Sequence, residues 1–274
     1  MDARNFPGRV VLITGAAGGL GAALCRRFAQ AGVGIAALDL DHVKLNALVA
    51  TLPAGTLAIA GNIADPEMCE EAVALTLAHF GKLDVLVNNA GITHRSLLAD
   101  TDPGVVRRVM EVNFFGAMQL THAALPHLVA SRGVVAAISS VAGYAPLLGR
   151  TGYAASKHAL HGFFDSLRTE VEDLGVQVTL ICPSFIATGI GGAALDGTGA
   201  AASTPRVTTG GESDPADIAR LIFEALAQGK SLLLPDRTSR LAWWVSKLMP
   251  RFYARTMKRH VSAEFKTRPE ETVT

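Results

Sequence analysis

The chain has 274 residues, of which 49% are apolar and 18% charged, and its formal net charge is +1. Its mean hydropathy is +0.31. That length suits one large α/β domain, and the near-neutral balance gives no reason to expect nucleic acid or a strongly acidic partner. Cys25, Cys69 and Cys182 are odd in number, far apart and without a CxxC, which argues against a disulfide framework and against a metal site.

Residues 9–14 (RVVLIT) read as a first strand. The segment before it has no signal-peptide pattern, and no run reaches the ~18 apolar residues of a membrane-spanning helix. Further strands are predicted at 33–39, 56–60, 83–87, 134–139, 176–181 and 231–234. Helical stretches fall between them at 19–31, 42–52, 66–80, 103–131, 154–174 and 215–228. Strands that alternate with helices predict a doubly wound α/β fold. Its mostly parallel, seven-stranded sheet would carry helices on both faces and right-handed crossovers, the Rossmann arrangement. Strands buried on both faces also account for the high apolar content. Nothing divides residues 1–235, which read as one catalytic domain, and 236–274 read as a basic, tryptophan-containing helical extension. The Gly-, Ala- and Thr-rich run 189–211 reads as a flexible substrate lid.

Directly after the first strand comes Thr14-Gly15-Ala16-Ala17-Gly18-Gly19-Leu20-Gly21. A glycine turn between a strand and a helix lets backbone N–H groups approach a pyrophosphate. Asp39 ends the second strand, where a carboxylate accepts hydrogen bonds from ribose hydroxyls and repels a 2′-phosphate. No Arg or Lys lies in the turn or directly after Asp39, so NAD is favoured over NADP. The competing role for Asp39, a helix N-cap, could be filled by Asp41.

Three groups then carry chemistry: Asn88-Asn89-Ala90-Gly91, Ser139-Ser140, and Tyr153-Ala154-Ala155-Ser156-Lys157. Tyr153 and Lys157, four apart, share a helix face. A phenol is too weak a base at neutral pH until a neighbouring ammonium stabilises the phenolate. A tyrosine tuned in this way exchanges a proton with an alcohol while hydride is transferred.

With these motifs in view, the chain resembles the short-chain dehydrogenase/reductase family over roughly residues 7–235. The matching segments are TGAAGGLG at 14–21, NNAG at 88–91, Asn113, ISSVAG at 138–143 and YAASK at 153–157. In that family the serine stands thirteen residues before the tyrosine, which selects Ser140. The resemblance implies a catalytic tetrad of Asn113, Ser140, Tyr153 and Lys157. In it Ser140 orients the substrate oxygen, Lys157 also binds the nicotinamide ribose, and Asn113 holds a water that links Lys157 to solvent. A structural role for Asn113, as a helix-kink or buried amide, is compatible with that. The implied cofactor contacts are Gly15, Gly19, Leu20, Gly21, Asp39, Leu40, Asn62, Ile63, Asn89, Ala90, Gly91, Tyr153, Lys157, Pro183, Ile186 and Thr188. Two positions depart from the family: Asn62 replaces an aspartate, and Ser184 replaces the glycine after Pro183. Ser184 either alters loop geometry or lines the substrate site.

The implied function is hydride transfer between NAD(H) and an alcohol or carbonyl. The alternatives are an NADP-linked carbonyl or lipid reductase and a non-catalytic cofactor-binding regulator, and the intact tetrad argues against the latter. Thr93, His94, Arg95, Pro146, Leu147, Leu148, Arg150 and Phe185 are expected to border the pocket, with His94 read as a solvated loop residue. Leu147, Leu148 and Phe185 favour an apolar secondary alcohol or ketone. The resemblance also implies a homodimer or homotetramer formed through helices 103–131 and 154–174.

Residues 237–259 hold seven basic side chains, no acidic one, and both tryptophans. Leu241, Trp244, Val245, Leu248 and Phe252 form an apolar stripe flanked by a basic one, and Pro250 splits the segment into two helices. Such a segment docks on its own domain, meets an anionic membrane surface or binds a protein partner. The expected location is cytoplasmic, with membrane-surface contact through 237–259 as a further reading.

Overall fold

The structure, a computed structural model, describes residues 5–188, 194–203, 207–208 and 210–265. Seven strands are β1 Val10–Thr14, β2 Gly34–Asp39, β3 Leu57–Ala60, β4 Val85–Asn88, β5 Val134–Ile138, β6 Gln177–Ile181 and β7 Leu232–Leu233. The helices are α1 Gly19–Gln30, α2 His42–Val49, α3 Pro66–Phe80, α4 Pro103–Met110, α5 Gly116–Ala130, α6 Thr151–Val171, α7 Pro215–Ala227, α8 Arg237–Leu248 and α9 Pro250–Val261. All strand pairs are parallel, in the order β3-β2-β1-β4-β5-β6-β7. The sheet is therefore the seven-stranded doubly wound one that the alternation predicts. The order reverses between β1 and β4, which opens a crevice beyond the carboxyl ends of the strands, where such sheets take their ligands.

The strand alternation sorts side chains to two cores. Val11, Ile13, Val85 and Val87 face the side of α1 and α7. There Phe6, Phe28 and Phe223 pack ring to ring, with centroids 5.0–5.8 Å apart. Leu12, Leu86, Val135 and Ala137 face the side of α3, α5 and α6. Both faces are thus dry, which is why these strands read as continuous apolar runs.

Helix starts follow a repeated chemistry. Asp65-Pro66, Asp102-Pro103 and Asp214-Pro215 each place an aspartate at the N-cap and a proline in the first turn. The carboxylate accepts a free backbone N–H, and proline has none to leave unpaired. The single helix expected over 103–131 is divided: a π-turn over Glu111–Phe115 joins α4 to α5, and Asn113 lies in it. The strand expected at 231–234 shortens to two residues.

The C-terminal helices pack back onto the domain. Asp236 caps α8 in a box with Ser239, and it also accepts from the Ser184 N–H at 3.0 Å and hydroxyl at 2.7 Å. Ser184 thereby ties the end of β6 to the start of α8. Tyr144 donates its hydroxyl proton to the Ser239 carbonyl and packs edge-on against Trp243. Among the described residues no helix is long and apolar enough to cross a membrane.

Candidate active site

The glycine turn is tied to the loop after β4 by the side chains of Thr14 and Asn89. Thr14 Oγ1 accepts the backbone N–H groups of Asn89 and Ala90, each at 3.0 Å. The Asn89 amide donates in return to the carbonyls of Thr14 and Gly15. Gly15 has φ +62°, and a Cβ there would meet Ala90 Cα at 2.8 Å. A Cβ at Gly21 would lie 2.0 Å from the Gly15 carbonyl oxygen. Only glycine permits this close crossing. Helix α1 has Gly18 at its N-cap and no side-chain cap, which leaves its first N–H donors open to an anion. The turn thus fits a pyrophosphate.

At the end of β2 the Asp39 carboxylate accepts from Ala17 N–H at 2.9 Å and from Asp41 N–H at 2.9 Å. The N-cap of α2 is Asp41, so Asp39 is not engaged as a cap. Leu40 is exposed beside it. Asn62 accepts from Ala64 N–H to turn the chain after β3, and Ile63 is buried behind that turn.

On the other side of the crevice, Ser140, Tyr153 and Lys157 line one cavity of about 150 Å³. Leu20, Asn89, Gly91, Pro183, Ile186 and Thr188 line it too. Gly15, Gly19, Gly21, Asp39, Leu40, Asn62, Ile63, Ala90 and Asn113 lie outside its wall, most of them along the strand ends that lead to it. Ser140 caps a short helical turn, and its Oγ accepts from Ala142 N–H at 3.2 Å. Ser139 is buried and donates to the Lys157 carbonyl. Lys157 is buried on α6, its Nζ 5.7 Å from the Tyr153 ring centroid and donating to the Ile138 carbonyl at 2.7 Å. Burial pulls its pKa down from 10.5 to about 8.

Asn113 is almost wholly buried. Its Nδ2 donates to the Ile92 carbonyl and to Ser156 Oγ, both at 2.9 Å, and its Oδ1 accepts from Ile92 N–H at 2.8 Å. The π-turn aims this amide at the loop after β4, so the buried-amide role holds.

Among the substrate-side residues expected from sequence, Thr93, Arg95, Leu147, Arg150 and Phe185 line the cavity. His94 is a correction. It is not solvated but fully buried, and burial, with the Arg150 charge, lowers its pKa to about 4. The neutral ring accepts from Gly152 N–H at 2.9 Å and so anchors the first turn of α6. Leu148 does not line the cavity; its N–H is directed at the Met257 sulfur. Of the run read as a lid, residues 189–193, 204–206 and 209 lie outside the described residues. Residues 194–203 pack against the loop at 93–102: Leu195 exchanges backbone hydrogen bonds with Thr93 and Arg95, and Asp102 N–H donates to Gly197.

Two features are absent from the sequence expectations. Glu264, in the turn Ser262–Phe265 after α9, enters the cavity lined by Ser140, Tyr153 and Lys157. Its carboxylate accepts from Arg150 at 2.8 Å and from Val207 N–H at 2.6 Å, and it lies 4.0 Å from Arg95 Nε. The only signal for it is that Glu264 is the first acid after the basic run. The second feature is an adjoining apolar cavity of about 260 Å³ between α8, α9 and the loops after β5 and β6. It shares Ser140, Leu147, Ser184, Phe185 and Val261 with the first. Ser184 therefore both lines the site and shapes its loop.

The family comparison decides the class. A model of the short chain dehydrogenase family matches residues 9–197. The chain belongs to that family, and so to a class of oxidoreductases. It is 39% identical over 270 residues to a dehydrogenase/reductase SDR family protein 7-like of Anopheles gambiae, a match that spans 94% of this chain and 84% of that protein. It is also 36% identical over 189 residues to an 11-beta-hydroxysteroid dehydrogenase-like 2 of Arabidopsis thaliana, covering 67% of this chain and 61% of the relative. Among solved structures, a short chain dehydrogenase/reductase from Burkholderia phymatum in complex with NAD superposes with a TM-score of 0.80. That match has 23% identity and covers 91% of this chain and 96% of the other. That likeness shows a shared fold, the parallel sheet with its β1–β4 reversal described above.

Proposed function

We propose that this protein transfers a hydride between NAD(H) and an apolar secondary alcohol or ketone, with Tyr153 as the proton donor and acceptor. The observation that carries the reading is the convergence of Ser140, Tyr153 and Lys157 on one cavity at the mouth of the glycine turn. When bound, the nicotinamide supplies or accepts the hydride. The residues suited to holding that cofactor are the glycine turn, Asp39, Asn62, the Asn89-Ala90-Gly91 loop, Lys157, and Pro183 with Ile186 and Thr188.

In the reducing direction Tyr153 gives its phenolic proton to the carbonyl oxygen as the carbon receives hydride. The Ser140 hydroxyl donates a hydrogen bond to the same oxygen and fixes its position. Lys157, protonated below about pH 8, stabilises the phenolate left on Tyr153. Oxidation runs the same transfers backwards. Both amide protons of Asn113 are committed to Ile92 and Ser156, so any water held there for proton exchange is held through oxygen acceptors.

Asp39 supports NAD over NADP, since its carboxylate stands where a 2′-phosphate would meet a like charge. The apolar lining of the second cavity supports an apolar substrate. So does the hydroxysteroid in the name of the Arabidopsis relative, an alcohol on an apolar skeleton. A homo-oligomer built on α4, α5 and α6 fits the half-exposed rings of Phe114, Phe115 and Phe163 on that side. The experiment is a panel of secondary alcohols and ketones followed by NADH absorbance. Turnover of apolar members with NAD(H) is expected; no turnover of any member, or turnover with NADP(H) alone, overturns the reading.

A further inference from the structure

The basic extension shows two unlike faces. Inward, Ser239, Ala242 and Val261 are buried, and Val245, Tyr253, Thr256 and Met257 line the apolar cavity. Outward, the exposed side chains of α8 are Arg237, Arg240, Leu241, Trp244, Lys247 and Leu248. The i, i+3, i+4, i+7 spacing makes them one stripe. On α9 the exposed residues include Arg251, Phe252, Arg255, Lys258 and Arg259. Every one of these is either basic or large and apolar. Five of the eleven large apolar side chains exposed among the described residues fall in residues 241–252: Leu241 (66%), Trp244 (61%), Leu248 (73%), Met249 (49%) and Phe252 (57%).

Water gains nothing from such a surface, and the mixture of charge and apolar bulk selects its occupant. Basic groups among exposed aliphatic and aromatic side chains match a layer of anionic headgroups over acyl chains. Two patch residues, Leu241 and Phe252, also line the apolar cavity that joins the reaction centre at Ser140. The exposed patch is therefore the rim of the cavity, continuous with its lining.

We propose that α8 and α9 dock on an anionic lipid bilayer and open the apolar cavity toward it, so that the enzyme draws its substrate from the lipid phase. The inference deepens the reading of the site as an alcohol/carbonyl oxidoreductase and rests on it. Docking places Leu241, Trp244, Leu248 and Phe252 among the acyl chains and the basic residues at headgroup level. An apolar ketone or alcohol dissolved in the bilayer then moves along the α8–α9 lining to Ser140 and Tyr153 without crossing water.

The test uses the full chain with NADH and two kinds of vesicle, phosphatidylcholine alone and phosphatidylcholine with one-third phosphatidylserine. Co-sedimentation is expected with the anionic vesicles, weakening as salt is raised. Two double variants separate the contributions. Trp244→Ser with Leu248→Ser removes exposed bulk that does not line the cavity, and Arg251→Gln with Arg255→Gln removes charge. Each should lower partitioning roughly tenfold or more. Bromine-labelled lipid should quench the wild-type indole emission and leave that of Trp244→Ser largely unchanged.

For loading, the rate on a twelve-carbon methyl ketone carried in anionic vesicles is compared with that on cyclohexanone in solution. The apolar double variant should lose at least tenfold on the first and stay unchanged on the second. Equal sedimentation of wild type and both variants overturns the docking, as does a change of the apolar variant from dimer to monomer in light scattering, which would make the patch a contact between copies. Equal loss on both ketones overturns the loading. If neither ketone is reduced, the reading of the site fails, and sedimentation still decides the docking.

Discussion

The two adjoining cavities are built on different principles. The reaction cavity is walled mainly by loops that follow strands, together with α6, and its polar groups are fixed by backbone partners: Lys157 by Ile138, Ser140 by Ala142. The apolar cavity takes most of its wall from α8 and α9, appended after the last strand. Hydride transfer tolerates little displacement, and the ends of a packed parallel sheet supply that rigidity. Selection of an apolar molecule requires only volume and dryness, which two docked helices provide. In the proposed reading, chemistry and substrate choice are thus carried by separable parts of the chain, joined at Ser184 and Glu264.

That division can be broken from either side. The largest effect is expected from Tyr153→Phe. Turnover should fall by about 10²–10⁴-fold while NAD binding by calorimetry is kept; undiminished turnover would remove Tyr153 from the chemistry.

Glu264→Gln strikes the joint. It leaves Arg150 buried without its carboxylate, which should cost about 3 kcal/mol in denaturant unfolding and expose α9 to proteolysis. An unchanged midpoint and digestion pattern would show that the C-terminal turn is not held by this ion pair.

A third test uses pH. Folding lowers the Lys157 pKa to about 8 from 10.5, so the folded state favours the neutral amine. The stability tied to that preference is fully present above pH 10.5 and is lost as pH falls through 8. In the cofactor-free protein, the wild-type melting temperature should therefore rise relative to that of Lys157→Met between pH 8 and pH 10.5. A constant difference would place Lys157 in a more solvated setting.

Asp39→Ala should shift the ratio of NADP to NAD affinity roughly tenfold toward NADP, as read by titration with each cofactor. The smallest effect is expected from Ser184→Ala. Loss of the hydroxyl donated to Asp236 should cost about 1 kcal/mol in unfolding and leave NAD binding as it was.

What sequence reveals here follows the range of the interactions. The strands are legible because a strand covered on both faces is apolar at every position, as in Val134–Ile138. The Asp-Pro pairs mark three helix starts because capping is decided within a few residues. The glycine turn, Ser140, Tyr153 and Lys157 are legible because each motif sits at a strand end and the fold gathers those ends. The π-turn escapes notice, since EVNFF holds no proline or glycine to mark it. Glu264 escapes because its partner is 114 residues away. His94 misleads because a histidine between Thr93 and Arg95 looks solvated, and only the tertiary fold buries it. The C-terminal helices show their composition in the sequence, but which stripe faces inward is set by the Ser184–Asp236 link and by Tyr144.

The π-turn at Glu111–Phe115 also acts on helical phase. A wider turn inserts one residue into the ladder, and a residue of an α-helix is worth about 100° of rotation. Between α4 and α5 the chain thus carries an angular offset, and Asn113 is the residue that the offset directs at Ile92. Deleting one residue from this turn would restore regular winding and swing Asn113 away from Ile92, although every motif would remain in the sequence. The assembly of the proposed reaction centre therefore depends on counting as well as on residue identity, and a gap of one position in this stretch would be a more damaging change than many substitutions.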